Sequence, residues 1–458
     1  RNISINIFNM NKLTILLFAL AALFLHPLQG HAMKGPAPGD VTPGQDSLTP
    51  LYHYLTGIPG IGIEKLQCLE PFTEKYLLNI PQPVDHHDPD GGSFTQRVFV
   101  MYRDKDAPVV FTTEGYYGEY ATYPFYQNEL DFFLGANEVL AEHRYFGPSA
   151  PEPLDWQYLT VEQAAADHHR IVGLLKPFFT GKWVSTGISK GGQTAIYHRA
   201  FWPDDVDATV AYVCPLNFSI EEQRCYDFLD WVGSDTCRQR IHEFQEMLLC
   251  NREKYFTAFL DAVEKDSLRF SIGDTAGYEL SVLEYSFAFW QWGGTPCDSI
   301  PGPDASPARA IRHLDRVTSL DWVSDQGIAG MLPFFYQALT EIGFYGYDHS
   351  EFEGCIEALS DQTFRFTCPE GVDCVYDPLP MEKVDNFVRH YGQNMIFIYG
   401  EWDPWSAPAV QTTGKTNSFT VFKPGGNHGT RIFNLPEEQR EKILVTLEKW
   451  LDCKTYRQ

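Results

Sequence analysis

The chain is poor in basic residues. Its 458 residues include 35 Lys and Arg against 60 Asp and Glu, which gives a formal net charge of −25 at pH 7. Nucleic-acid binding depends on clustered positive charge, so this imbalance argues against a nucleic-acid partner. The negative charge favours solubility and repels anionic membranes, but it identifies no substrate.

The apolar run near the N-terminus is too short to span a membrane. LTILLFALAALFL (13–25) has 13 residues, whereas a membrane-spanning helix needs about 20. It follows a Lys close to Met10 and precedes a small–x–small GHA site, as in a secretory signal peptide. The first cysteine, Cys68, lies too far along for a lipid anchor. We therefore expect a signal peptide in 1–32, starting at Met10. The mature protein is expected to be exported, periplasmic or extracellular, with no membrane anchor.

No two of the ten cysteines have the C-x-x-C spacing of zinc or redox sites. Seven of them lie between residues 225 and 374. An even number of cysteines in an exported chain indicates disulfides. Proximity suggests Cys225 with Cys237 and Cys368 with Cys374, although sequence alone does not determine pairing. No metal and no other cofactor is implied, and the oligomeric state stays open.

Strand-like and helix-like segments alternate in two parts of the chain. From about residue 75 to 213, β-branched runs such as APVVFTTEG (107–115) alternate with helical patterns such as that of 160–179. The alternation returns after residue 394, and a Cys-rich, mostly helical segment separates the two parts. This pattern predicts a parallel α/β sheet interrupted by an insertion. The expected segments are a signal peptide 1–32, a linker 33–60, a first core part 61–216, a cap insertion 217–385 and a second core part 386–458.

A serine stands between glycines in VSTGISKGGQTAI (184–196). Ser189 lies two residues after Gly187 and two before Gly191, with a strand pattern before it and a helix pattern after it. In a G-x-S-x-G turn of this kind the serine hydroxyl is lifted out of the sheet, and the glycines avoid clashes in the sharp bend. The G-x-x-x-x-G-K-[ST] spacing of a phosphate-binding loop is absent. An ordinary tight turn remains the alternative.

Two partners for Ser189 follow in the expected order. A serine nucleophile needs a base, and the base needs an orienting acid. Asp403 comes directly after an apolar strand in YGEWDPW, and His428 follows the next strand in PGGNHG. A turn residue and a surface-loop histidine are the alternatives. The Ser–Asp–His order predicts an α/β-hydrolase core with a parallel sheet, and a helical cap domain inserted after the nucleophile region.

An oxyanion hole requires two hydrogen-bond donors near the nucleophile. One should be the backbone N–H of Lys190, the residue after Ser189. The loop TTEGYYGEY (112–120) follows an earlier strand and should supply the other donor. We expect this donor to be the N–H of Tyr116 or, less favoured, that of Gly115.

Four stretches together resemble the secreted proline-specific serine exopeptidases: GISKGG (187–192), AEHRYFGPSAP (141–151), YLTVEQAAAD (158–167) and EWDPWSAP (401–408). One branch comprises lysosomal Pro-X carboxypeptidase and dipeptidyl peptidase II. The chain is more similar to the bacterial prolyl tri/tetrapeptidyl aminopeptidase family, which has a similar S-K-G-G elbow, whereas the other branch usually has Tyr where this chain has Lys190. The resemblance implies cleavage of peptides after proline near a free N-terminus.

Candidate substrate contacts follow from this implication. A proline ring needs a tight apolar slot, and Tyr116, Tyr117, Trp290 and Trp292 are expected as walls. The substrate ammonium needs a carboxylate, for which Glu114 and Glu119 are candidates, with a structural role as the alternative. Three other functions stay open: dipeptidyl peptidase or Pro-X carboxypeptidase activity, a secreted lipase or esterase, and a catalytically inactive binding protein.

Overall fold

The structure, a computed structural model, describes residues 49–457. Its strands form one sheet in the order β1-β2-β3-β5-β4-β6-β7-β8-β9. The strands are β1 Gly62–Lys65, β2 Glu74–Pro83, β3 Ser93–Tyr102, β4 Val109–Thr113, β5 Asn137–Ala141, β6 Trp183–Ile188, β7 Ala208–Tyr212, β8 Met395–Gly400 and β9 Phe419–Lys423.

Six neighbouring strands of the sheet, β5-β4-β6-β7-β8-β9, run parallel. The first three strands are antiparallel additions at one edge. The expectation of a parallel sheet is therefore correct for the six-stranded part and wrong for this edge. Antiparallel strands joined by short turns extend an otherwise parallel sheet without crossover helices. The strand order and the helices on the sheet are those of an α/β-hydrolase core, which confirms the predicted fold class.

Helices alternate with the strands and fill the long interval between β7 and β8. Their bounds are α1 Pro50–Thr56, α2 Glu129–Leu134, α3 Val161–Leu175, α4 Lys190–Phe201, α5 Gln223–Leu229, α6 Asp235–Cys250, α7 Arg252–Lys265, α8 Asp274–Trp292, α9 Pro307–Thr318, α10 Asp325–Gln337, α11 Leu379–His390 and α12 Glu437–Leu451. Thr160 caps α3, because its side chain accepts a hydrogen bond from the Gln163 N–H. None of the helices in residues 49–457 has the length and apolar character needed to cross a membrane.

Helix α1 lies in the segment that we expected to be a linker. Its first residue is a proline, and the Thr49 side chain caps it by accepting a hydrogen bond from the Tyr52 N–H. Leu51 and Leu55 are fully buried against the strands of the antiparallel edge. The linker prediction is thus wrong for residues 50–56, because composition does not reveal that two leucines one helical turn apart are buried. The expected signal peptide and residues 33–48 of the expected linker lie outside the described residues.

The helices between β7 and β8 pack on the sheet through a continuous apolar core. Helix α11 contacts α4, the helix after Ser189, so it belongs with the sheet. The expected boundary at 385/386 therefore falls inside a helix that covers the core. The limits of the cap otherwise stay a prediction.

Three disulfides lie in this helical segment: Cys237–Cys297, Cys250–Cys355 and Cys368–Cys374. The expected pairing of Cys368 with Cys374 is confirmed. The expected pairing of Cys225 with Cys237 is wrong, since Cys237 bonds Cys297 at the far end of α8 and Cys225 is a buried free thiol. The fold brings together partners 60 residues apart, a distance over which sequence proximity gives no guide.

Candidate active site

Ser189 occupies a strained turn between β6 and α4. Its backbone has φ 56° and ψ −123°, a region that non-glycine residues rarely adopt. The Ser189 N–H donates to the Tyr212 carbonyl at 2.8 Å, which ties the turn to strand β7. The serine side chain is not buried in the sheet and caps no backbone N–H of its helix. These are the features expected of a nucleophile elbow.

The glycines around Ser189 allow close backbone contacts. A Cβ on Gly187 would lie 2.0 Å from the Gly191 carbonyl oxygen, and one on Gly192 would lie 2.8 Å from the Cβ of Cys214. Both distances are below van der Waals contact, so any side chain at these positions would displace the first turn of α4. The packing of the turn thus requires glycine at 187, the first glycine of the G-x-S-x-G spacing, and at 192; a Cβ on Gly191, the second glycine of the spacing, would lie 3.0 Å from the Thr113 carbonyl oxygen.

Asp403 and His428 contact one another at the carboxyl ends of β8 and β9. The His428 Nδ1 lies 2.7 Å from the Asp403 Oδ2, and both side chains are buried. The other carboxylate oxygen, Oδ1, accepts the Trp405 N–H at 3.2 Å. With Nδ1 directed at Asp403, the Nε2 on the opposite side of the ring faces away from the carboxylate. Ser189 follows β6 at the same edge of the sheet.

The loop after β4 packs on the residue that follows Ser189. A Cβ on Gly115 would lie 2.6 Å from the Cβ of Lys190, so the loop reaches this position only because residue 115 is a glycine. In the part of the chain that the structure describes, neither Lys190 nor Tyr116 donates its backbone N–H to a protein acceptor. The assignment of these two free donors to an oxyanion hole stays a prediction.

A family model described as PS-10 peptidase S37 matches residues 50–455. The chain belongs to this family. It is a serine-type peptidase, and the predicted resemblance is confirmed. The chain is 34% identical over 384 residues to the prolyl tri/tetrapeptidyl aminopeptidase of Streptomyces mobaraensis, covering 82% of this chain and 80% of that protein. It is 23% identical to the lysosomal Pro-X carboxypeptidases of Mus musculus (73% of this chain, 79% of that protein) and Homo sapiens (60% and 66%).

The two candidate glutamates in the loop after β4 differ in their surroundings. Glu114 is partly exposed, accepts a hydrogen bond from the Tyr120 hydroxyl and has its pKa raised by burial to about 7. Glu119 lies on the surface and pairs with Arg97 at 2.5 Å. Because Arg97 already balances the charge of the Glu119 carboxylate, a substrate ammonium would gain little there. Glu114 is therefore the better candidate for a substrate contact.

The four aromatic candidates do not all face the site. Trp292 lies beside the His428 ring, with centroids 5.8 Å apart, whereas Trp290 is buried and packs on Trp402. Residues two apart on a helix point in nearly opposite directions, which explains why the two tryptophans separate. Tyr116 packs its ring on Phe146.

Tyr117 joins the α/β core to the helical insertion. Its hydroxyl donates to the Gly330 carbonyl at 2.9 Å, in α10. Tyr117 also packs its ring edge-to-face on Phe146. Its ring is partly exposed.

Sequence reasoning missed a buried arginine below the histidine loop. The Arg431 guanidinium donates to the carbonyls of His428 and Thr430, at 3.1 Å and 2.7 Å. The His428 N–H in turn donates to the Gln291 carbonyl at the end of α8. These contacts fix the backbone that carries the imidazole. A charged residue three positions after the histidine was the available signal.

Within residues 49–457 no group of three or more His, Cys, Asp and Glu side chains forms a metal site.

Proposed function

We propose that this peptidase is an exported enzyme that hydrolyses the bond after proline near a free N-terminus and releases tri- or tetrapeptides. The observation that carries the proposal is the buried Asp403–His428 contact at the same sheet edge as the strained Ser189. The name of the Streptomyces mobaraensis relative supports the substrate class.

In the proposed reaction, the Ser189 hydroxyl attacks the carbonyl carbon of the proline residue. The His428 Nε2 takes the hydroxyl proton and then gives it to the leaving amine, so that the peptide bond breaks and an acyl-enzyme forms. Asp403 keeps the imidazole in the required tautomer and stabilises its positive form. A water molecule, deprotonated by His428, then hydrolyses the ester and regenerates Ser189.

The oxygen that becomes negative in this reaction needs donors already in place. We assign this role to the backbone N–H groups of Lys190 and Tyr116, which are free to donate. Each donor of this kind lowers the barrier by about 3 kcal/mol in comparable hydrolases.

Substrate selection depends on two further contacts in this proposal. The rings of Tyr116, Tyr117 and Trp292 offer apolar walls for a proline ring. Glu114 receives the substrate ammonium. Burial has raised the pKa of this carboxyl to about 7, and an ammonium beside it would favour the charged form again. This contact would explain a preference for a free N-terminus.

Export is supported by the disulfides and by the expected signal peptide in 1–32. Three disulfides are typical of a chain that folds in an oxidising compartment.

The assignment of the nucleophile is tested with a fluorophosphonate probe. Wild-type protein should be labelled on Ser189, and Ser189→Ala should not be labelled although it folds normally. Ser185→Ala is the matched control, because Ser185 lies on β6, four residues before Ser189, and its hydroxyl forms a hydrogen bond with the Thr209 hydroxyl at 2.9 Å. The control should be labelled like the wild type. Full labelling of Ser189→Ala would refute the assignment.

A further inference from the structure

The Lys190 side chain is buried beside the proposed oxyanion hole, where a charged group is costly. It is 3% exposed, and its Nζ donates to the Gly115 carbonyl at 2.6 Å. The rings of Tyr116 and Phe146 flank the ammonium, with centroids 5.4 Å and 5.2 Å away. Burial lowers the pKa of Lys190 well below its usual value, and the nearby Glu114 raises it again in part. A leucine or methionine would fill this space without the cost of burying an amine.

The carbonyl that accepts from Lys190 belongs to the same peptide unit as the N–H of Tyr116. This peptide bond is trans, since the cis bonds in the described chain are those before Pro71 and Pro153. In a trans peptide the C=O and N–H point in opposite directions within one plane. A hydrogen bond that fixes the Gly115 oxygen therefore also fixes the direction of the Tyr116 N–H.

The loop has little else to hold this peptide unit. Residue 115 is a glycine, which allows wide rotation of its backbone. On one side the Glu114 N–H donates to the Ala141 carbonyl, and on the other the Tyr116 carbonyl accepts from the His143 N–H. These bonds hold the ends of the three-residue stretch and leave the plane between Gly115 and Tyr116 to the lysine.

We propose that the Lys190 side chain is a positioning residue, which holds the Gly115–Tyr116 peptide unit so that the Tyr116 N–H faces the developing oxyanion. The inference rests on the proposed function. Lys190 then serves the oxyanion hole twice, with its own backbone N–H and through the orientation of the second donor.

The test replaces the ammonium and keeps the length of the side chain. Lys190→Met retains an unbranched apolar stem and removes the donor. Loss of one oxyanion donor typically lowers kcat by about 10²–10³, and a misdirected donor should have a smaller effect, of about 10- to 100-fold. KM should change little, because the interaction strengthens only in the transition state.

A boronic acid inhibitor separates positioning from general damage. A peptide that ends in boroproline forms an anionic tetrahedral boronate with the serine, in which one oxygen on boron takes the place of the oxyanion, whereas a product peptide ending in proline forms no tetrahedral adduct. Lys190→Met should lose affinity for the boronate in proportion to its loss of kcat/KM, and should bind the product peptide like the wild type. A purely structural role would weaken both ligands alike.

Thr194→Val is the matched control. Thr194 lies on the same helix and is buried, and its hydroxyl is within hydrogen-bond distance of the Gly191 carbonyl at 2.7 Å and the Thr113 carbonyl at 2.9 Å. The substitution removes buried hydrogen bonding of α4, and Thr194 makes no hydrogen bond to the Gly115–Tyr116 unit in the described residues. The ratio of boronate to product affinity should therefore stay at the wild-type value.

Wild-type kcat and boronate affinity in folded Lys190→Met would overturn the proposal, as would equal losses for boronate and product. Should Lys190→Met not fold, Lys190→Leu, which also removes the donor, is measured by the same criteria. Failure of the proposed function is recognised separately, because the wild type would then release no peptides ending in proline, or hydrolysis would persist in Ser189→Ala.

Discussion

Glu284 permits a quantitative test of how the helical insertion is stabilised. It lies in α8 and is 4% exposed. Its Oε2 accepts hydrogen bonds from the hydroxyls of Tyr345 and Tyr347, both at 2.7 Å. Burial raises the pKa of this carboxyl from 4.5 to about 7, and the two phenol donors lower it in part. Glu284 is therefore expected to keep its proton in the folded protein at pH values where the unfolded chain has lost it.

The sign and size of the effect follow from this difference. A folded state that binds the extra proton loses stability as the pH rises, here between about 4.5 and 7. Each pKa unit corresponds to about 1.4 kcal/mol, so the change amounts to about 3 kcal/mol of stability that is present at pH 4 and absent at pH 8.

Glu284→Gln removes the titration and keeps an acceptor oxygen for the tyrosines. Between pH 4 and pH 8, the free energy of unfolding should fall by about 3 kcal/mol more in the wild type than in the variant. Urea unfolding followed by tryptophan fluorescence, with disulfides intact, measures both curves. Tyr347→Phe should instead steepen the loss of stability with rising pH, because it removes a hydrogen-bond donor to the charged Glu284 carboxylate and so raises the pKa of Glu284 further. Parallel curves for wild type and Glu284→Gln would refute the reasoning.

Two further predictions concern the triad and the disulfides. Asp403→Asn should lower kcat by about 10⁴ in steady-state assays on a proline-containing peptide, because it favours the wrong imidazole tautomer; a loss below tenfold would contradict the assigned role. Replacing both Cys250 and Cys355, which are 105 residues apart, by alanine should lower the free energy of unfolding by about 5 kcal/mol. The same change at Cys368 and Cys374, six apart, should cost about 2 kcal/mol, since a shorter loop constrains the unfolded chain less. Equal losses in urea would contradict this order.

The sequence predicted the parallel core and the order of its site residues because both depend on local patterns. A β-branched run that ends at a glycine or an acidic residue marks the carboxyl end of a buried strand. Asp403 and His428 were found in this way, and the structure brings them into contact. The elbow at Ser189 likewise follows from glycines at fixed offsets.

Features that depend on long-range packing were not predictable from these patterns. Cys237 bonds Cys297 only because α6 packs along α8. Trp290 and Trp292 looked equivalent in sequence, but the direction of α8 decides which of them faces His428. The contact of the Lys190 ammonium with the Gly115 carbonyl joins residues 75 positions apart, and no local pattern specifies it.

The central claim is tested most directly by mass spectrometry of the products from one matched peptide set. The peptides carry proline at position three or four and differ in whether the N-terminus is free or acetylated. The account predicts that the wild-type protein releases tri- or tetrapeptides ending in proline from peptides with a free N-terminus and acts far more slowly on acetylated ones. The Ser189→Ala variant should leave both kinds of peptide intact. Equal rates on acetylated peptides, or loss of C-terminal residues instead, would contradict it.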